Sequence, residues 1–480
     1  MKIKIISLLV FFISLMAGQL HANEASKKID KLMQSYVDIK EFNGTVLVSK
    51  GNDIVFEKAY GYANFEWDIK STVDTKYKIA SVTKPFTAVL VMQLVQEGKI
   101  DLNAPITRYL KDYRKDTGDE ITIHQLLNHT SGIPDFLRLR KLRELPSKNP
   151  YSVGEFVEQF CSEDLDFQPG TSWRYSNSGY TILGHIMEVI TDKPFSTLLE
   201  EKIFKPLGMN DSGYYYHGPL KKREASGYSK NFNGFENAQY YDMSLPYASG
   251  SIYSTVEDLM RWERALHGGK LLKKSLVEKM YQVSPHKNYG YGWFVEEIAA
   301  DKYGKTLTNI SHAGMIKGFH SYVVRYIEDE YLIVILNNTG GVALRSMTAG
   351  ITNILYGKPY KKAKPRLYTK LFNLIKDKGL TAGISKYHAL NAEGVKLGEA
   401  GLNYFGYELL KVNMTTEAIA FFKLAVDLAP ESSNTYDSLG EAYFANKNYE
   451  LALRHYQQAF KLDSSNTNAQ KAIKKLKKKV

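Results

Sequence analysis

The feature that most limits the fold is a pair of strand-rich stretches lying far apart in the chain. Early on, "GTVLVSKG" and "DIVFEKAYGYANFEW" alternate or run apolar between Phe42 and Glu66, with Gly51-Asn52-Asp53 as the turn between them. From His320 onward, "HSYVVRYIEDEYLIVILNNTGG" reads as two more strands joined by a charged turn. A lone two-stranded hairpin is barely stable in water, so each pair needs partners. Between them run helical periodicities at Val82 to Glu97, Ser152 to Phe160, Tyr180 to Thr191 and Thr255 to His267. The arrangement that satisfies both ends is one sheet assembled from distant pieces of chain, with a largely helical insertion. This domain is expected over residues 24–360, and the basic, proline-containing "YGKPYKKAKPR" is the natural linker that follows it.

The last part of the chain obeys a different period. Ala418, Phe422, Ala425 and Pro430 are echoed 34 residues later by Ala452, Tyr456, Ala459 and Ser464, and Gly406 by Gly440. The small residues let two helices approach closely while the aromatics fill between them. The segment resembles tetratricopeptide repeats, best in "TYDSLGEAYFANKNYELALRHYQQAFKLD" and less well in the first copy, where Leu402 stands at a usually aromatic position. Repeats are expected at 399–432 and 433–466. Such units bury their faces only by stacking, so capping helices are expected over 361–398 and in the lysine-rich end.

Lys2 and Lys4 precede an apolar run from Ile5 to Met16, with small residues up to Ala22. The pattern is that of a secretory signal peptide over 1–22, implying a periplasmic or secreted protein with no membrane segment after cleavage. A retained anchor ranks second. Cys161 is the only cysteine, so no disulfide staples the chain and a buried thiol is its expected state. The 44% hydrophobic content belongs to a globular protein. The net charge of +12 is spread widely apart from the terminal "KKLKKKV", which reads as a solvated tail, and nucleic acid is not an expected partner.

Chemistry enters at "KIASVTKPFTA". A serine three residues before a lysine is weak by itself, since Ser284 and Lys287 have the same spacing. Ser81, however, opens the apolar pattern Phe86, Val89, Leu90, Met92, Leu94 and Val95, and on a helix Lys84 shares its face. Pro85 costs little in a first turn. A serine hydroxyl needs a base, and a lysine serves only where its surroundings keep it partly neutral. "WRYSNSGY" offers Tyr175 and Asn177 in a loop before a helix starting at Tyr180, and "NISHAGMIKGFHS" offers His312 and Gly314 at the start of the late strand pair. Both patterns recur, at Tyr62 to Asn64 and at His267 to Gly269, so what carries weight is the ordered triplet.

With that triplet, residues 24–360 resemble the serine β-lactamase and penicillin-binding-protein-like superfamily, in particular its class C β-lactamase, D-aminopeptidase and esterase branch. "LLNHTSGIPDF", "FQPGTSWRYSNSGYTILGHIMEVIT", "IFKPLGMNDS", "ASGSIYSTVEDLMRW" and "YGYGWFV" look like recurring segments of that branch. The resemblance implies an α+β fold, an antiparallel sheet flanked by helices plus a helical subdomain, followed by the all-α repeat domain. It makes Ser81 the acylated nucleophile, Lys84 its activator and Tyr175 the proton shuttle. Asn177, His312 and Gly314 would hold substrate, and the backbone N–H groups of Ser81 and Met315 would form the oxyanion hole. His312 stands where β-lactamases usually carry a lysine that binds the substrate carboxylate. A neutral histidine is a weaker anion partner, which points toward amidase, D-amino-acid peptidase or esterase chemistry.

The resulting expectation is an exported, cofactor-free serine hydrolase acting through an acyl-enzyme on a small amide, D-amino-acid peptide or ester. A β-lactamase or DD-carboxypeptidase, and a non-catalytic scaffold using the repeats, are the alternatives. The repeats are expected to offer a docking surface for a protein partner. His124 and His129 show no metal-ligand spacing, so no metal is expected; His129 is read as packing below the site, and Trp293 as core.

Overall fold

The computed structural model describes residues 23–139, 142, 151–340, 343–395 and 397–478. The expected leader over 1–22 lies outside them. The described residues divide into two units, one comprising residues up to 229 with 237–363, the other 230–236 with 364 onward.

The first unit is built on β1 (Gly44–Lys50), β2 (Asp53–Tyr60), β3 (Phe294–Ile298), β4 (Leu307–Ile316), β5 (Phe319–Tyr326) and β6 (Tyr331–Asn337). They form one antiparallel sheet in the order β3-β4-β5-β6-β1-β2. The two ends of the domain meet where β1 pairs with β6, Val46 opposite Ile335 and Val48 opposite Ile333. Alternation along each strand feeds two cores. Leu47, Val323, Leu332, Val334 and Leu336 point into one, and Val46, Val48, Val324, Ile333 and Ile335 into the other. Because both faces are covered, these strands read as apolar runs rather than as strict alternation. His312, expected at the start of the late strand pair, lies within β4, a full strand of the sheet.

The larger core surrounds α1 (Thr83–Gln96), which is buried from Thr83 through Met92. An all-round apolar helix belongs inside a domain. Phe86 stacks on Trp262 with ring centroids 4.0 Å apart. Around α1 lie α2 (Val153–Phe160), opened by a capping box of Ser152 and Glu155, then α3 (Asn177–Thr191) and α4 (Val256–His267). The opposite sheet face is closed by the helix over 23–38, through Ile29, Leu32 and Met33, and by α5 (Leu344–Leu355), through Met347 and Ile351. Cys161 is fully buried and Trp293 nearly so.

The second unit holds α6 (Leu367–Lys378), α7 (Leu380–Ala392), α8 (Glu399–Lys411), α9 (Thr415–Leu428), α10 (Ser433–Ala445), α11 (Tyr449–Leu462) and α12 (Thr467–Leu476). The 34-residue echo is a repeated contact. A Cβ at Gly406 would stand 2.6 Å from the Phe422 ring, and one at Gly440 would stand 3.1 Å from the Tyr456 ring. Ala418, Ala425, Ala452 and Ala459 are wholly buried. Phe232, from the 230–236 segment, stacks on Phe372 at 4.5 Å, a member of this core that no periodicity announced. Among the described residues no helix is long and apolar enough to cross a membrane.

Candidate active site

Ser81 lies in a single 3-10 turn, Ala80–Val82, between the short strand Tyr77–Lys78 and α1. Ala80 has φ +48°, a left-handed conformation that costs a residue with a Cβ roughly 1–2 kcal/mol. The surroundings hold it there. The Ile79 N–H donates to the Ile252 carbonyl at 3.0 Å, and the Ile79 carbonyl accepts from the Ser321 hydroxyl of β5 at 2.6 Å. Gly314 of β4 lies so close that a Cβ would fall 2.1 Å from the same carbonyl. The glycine of the third motif is therefore a matter of space: it lets β4 press against the turn that carries Ser81.

Lys84 follows on the first turn of α1. Its Nζ lies 3.3 Å from Ser81 Oγ, 2.7 Å from Asn177 Oδ1 and 2.8 Å from the Ser249 carbonyl. Lys84 is fully buried while Ser81 keeps partial exposure. Desolvation brings the Lys84 pKa down from 10.5 to about 7, against the opposing pull of the Asp135 carboxylate. A neutral amine has two N–H donors, which match Asn177 Oδ1 and the Ser249 carbonyl, and its lone pair is left facing the serine hydroxyl.

Asn177 was expected in the loop before a helix at Tyr180. It is instead the first residue of α3, capped by the Ser176 hydroxyl accepting from the Gly179 N–H. Its amide nitrogen donates to Asp135, at 3.2 and 3.0 Å, which fixes the amide so that Oδ1 faces Lys84. Tyr175 precedes the cap, its ring centroid 4.7 Å from Lys84 Nζ, and desolvation raises its pKa. His129 is buried beneath it, rings 4.4 Å apart, with Nδ1 accepting from the Ser176 N–H at 3.2 Å.

His312 is only 2% exposed. Its Nδ1 meets the Ala313 carbonyl at 2.7 Å and its Nε2 the Tyr289 hydroxyl at 3.2 Å, a pattern met by the neutral ring donating from Nδ1 and accepting at Nε2. Burial, with Lys84 adding to it, drives the His312 pKa down to about 3. Both nitrogens are engaged inside the protein. Met315, across from His320 at the end of β4, exposes its side chain. The structure thus gathers Ser81, Lys84, Tyr175 and Asn177 about one amine, with Gly314 against the turn and His312 behind.

Three participants were not singled out from the sequence: Asp135, the Ser249 carbonyl and Tyr289. Asp135 lay in plain view in "GIPDF", but nothing local says that it orients an asparagine more than forty residues on. Ser249 acts through its backbone, on which the side chain is silent. Among the described residues no cluster of three or more His, Cys, Asp or Glu could hold a metal.

The Beta-lactamase family model matches residues 29–353, and the Tetratricopeptide repeat model matches residues 433–466. The chain belongs to the β-lactamase family. It is a β-lactamase-fold serine hydrolase carrying a C-terminal tetratricopeptide repeat. This family member is 26% identical over 355 residues to penicillin-binding protein 4* of Bacillus subtilis, covering 70% of this chain and 77% of that one. Among solved structures, a penicillin-binding protein from Bacillus halodurans is 28% identical with a TM-score of 0.60, over 67% of this chain and 98% of that one. The D-amino acid amidase of Ochrobactrum anthropi SV3 is 25% identical with a TM-score of 0.61, over 69% and 99%.

Proposed function

We propose that this chain is an exported hydrolase that cleaves small amides, D-amino-acid peptides or esters through an acyl-enzyme on Ser81. The observation that carries the reading is the buried Lys84 amine, with two acceptors for its two N–H groups and its lone pair at the Ser81 hydroxyl. Ser81 Oγ attacks the substrate carbonyl carbon as its proton passes to Lys84 Nζ. The oxyanion of the tetrahedral intermediate is held by the N–H groups of Ser81 and Met315. The intermediate collapses as the C–N or C–O bond breaks, and the leaving amine or alkoxide takes a proton through Tyr175. Water then attacks the ester on Ser81, giving its proton to the Tyr175 and Lys84 pair. The acid leaves, and the proton returns to Ser81 Oγ.

The neutral, doubly engaged His312 favours amide and ester substrates over β-lactams, because it offers no charge to a penicillin carboxylate. The likeness to a D-amino acid amidase supports the same choice. The likeness to penicillin-binding proteins favours a second reading, a peptidase on D-alanyl-D-alanine ends, with the same mechanism and another substrate. Lys2, Lys4 and the apolar run behind them support export, and the repeats support docking of a protein partner.

Incubation with a fluorophosphonate, followed by peptide mass spectrometry, is expected to place one adduct on Ser81. Labelling that persists in Ser81→Ala would remove the nucleophile assignment. Rates on D-amino-acid amides, short nitrophenyl esters, D-alanyl-D-alanine peptides and nitrocefin then rank the substrates. Fast nitrocefin turnover would overturn the reading of His312.

A further inference from the structure

A cavity of about 710 Å³ opens within the first unit, lined by Lys78, Tyr215, Lys221, Glu224, Tyr241 and Lys317 among others. Three of its lining residues tie it to the catalytic machinery. Lys78 ends the strand that leads directly into the Ser81 turn. Lys317 comes two residues after Met315, just past β4. Tyr241 lies within electrostatic reach of Asp135, the residue that holds Asn177.

The charges of this cavity do not balance. Lys78 and Lys221 are both held against one ring, their ammonium nitrogens 4.3 and 4.1 Å from the centroid of Tyr215. The tyrosine face attracts each cation, but the two repel one another. Burial and this repulsion lower the Lys78 pKa, which Glu224 only partly opposes. Glu224 is the one lining carboxylate, and it stands 4.0 Å from Lys78, beyond hydrogen-bond distance. Lys221 donates to the carbonyls of Tyr216 and Pro219, which carry no net charge. Asp242 does not line the cavity, and its Oδ1 accepts from the Ser244 N–H at 3.0 Å and from the Ser244 hydroxyl at 2.9 Å. Lys317 adds a third, exposed ammonium at the rim. Ammonium donors in a partly dry cavity with too few acceptors are what an oxyanion would satisfy.

We infer that this cavity is an anion subsite of the hydrolase, in which Lys78 and Lys221, with Lys317 at the mouth, take a carboxylate or phosphate group of the substrate. It rests on the hydrolase reading above and narrows it: the substrate is an amide, peptide or ester bearing an oxyanion away from the scissile bond. Anion recognition that the neutral His312 does not supply then falls to these lysines.

The test compares the full-length protein on three esters: 4-nitrophenyl butyrate, 4-nitrophenyl hydrogen glutarate and 4-nitrophenyl 4-phosphonooxybutyrate. D-alanyl-D-alanine peptides with a free or an amidated end place the anion on the leaving side. The expected result is a kcat/KM ratio of anionic to neutral substrate of about tenfold or more, falling toward one in Lys78→Gln and in Lys221→Gln. The glutarate and phosphate arms separate the two anions. A ratio of one in the unaltered protein, or one that the substitutions leave untouched, overturns the inference. Calorimetric titration of Ser81→Ala, and of Ser81→Ala with Lys78→Gln, against glutarate and inorganic phosphate reads the cavity without turnover. If the esters are not cleaved but these anions bind and binding is lost with Lys78, the hydrolase reading fails and the anion site stands. If no anion binds and the ratio is one while Ser81 is still acylated, the anion site fails and the hydrolase reading stands. Far-ultraviolet circular dichroism on each variant excludes unfolding, and Lys221, in a more exposed loop, serves where Lys78→Gln does not fold.

Discussion

Ser81 with Lys84 and Ser284 with Lys287 have the same spacing, and the molecule uses them in opposite ways. Ser284 pairs with Lys287 across a short isolated bridge, its hydroxyl accepts from the His286 N–H, and the Lys287 ammonium lies exposed 5.8 Å from the Trp173 ring. Lys84 has been carried into the core by α1 and stripped of water. The serine and lysine are chemically identical in the two places. What differs is the cost of keeping a charge on the lysine, and that is set by burial rather than by sequence spacing.

The sharpest break in the comparison is removal of the two serines. Ser81→Ala is expected to lower kcat/KM by four orders of magnitude or more and to abolish the fluorophosphonate adduct, whereas Ser284→Ala leaves kcat/KM within about twofold. Next come the lysines. Lys84→Met is expected to cost about a thousandfold, and Lys287→Met essentially nothing, by the same ester assay. In the unaltered protein the protonated Lys84 cannot accept the serine proton. The kcat/KM profile should therefore fall about tenfold per unit as pH drops below about 7, and level off above it.

The paired histidine-glycine motifs extend the contrast. Gly314→Ala puts a methyl into the Ile79 carbonyl and shifts the Ser81 turn, with an expected loss of about a hundredfold in acylation rate. Gly269→Ala meets nothing closer than 3.9 Å but must keep φ near +73°, so it should cost about 1–2 kcal/mol in denaturant unfolding and leave acylation alone. The smallest effect is expected from Asp135→Asn. Its carboxylate raises the Lys84 pKa, so neutralising it should move the acid limb to lower pH while the rate on the plateau falls about tenfold or less.

Much of this was legible in the chain. The strands at both ends were visible because their residues are β-branched and apolar, and the sheet joins them as the pattern demands. The repeat echo was visible because each glycine faces an aromatic side chain one helix later. Asn177 was read one turn too far from its helix because Ser176, a good cap, was hidden among the polar residues of "WRYSNSGY". The length of β4 was missed because "NISHAGMIKG" interleaves small and polar residues that a strand packed against the Ser81 turn requires and a propensity count penalises.

The sequence by itself determined which atoms are available: one serine, lysine, tyrosine and asparagine in order, a glycine wherever a Cβ would collide, and a period that makes helical hairpins. Only the tertiary structure decided what those atoms are. Lys84 is brought down to a pKa of about 7, as the proposed base requires, because it is enclosed by Asn177, the Ser249 carbonyl and α1. His312 stays neutral because burial, with the nearby Lys84 adding to it, disfavours its charged form. Lys78 and Lys221 become neighbours because one tyrosine ring lies between two distant segments. The reason is common to all three. Protonation depends on solvation and on nearby charge, and both are properties of the folded surroundings rather than of the residue.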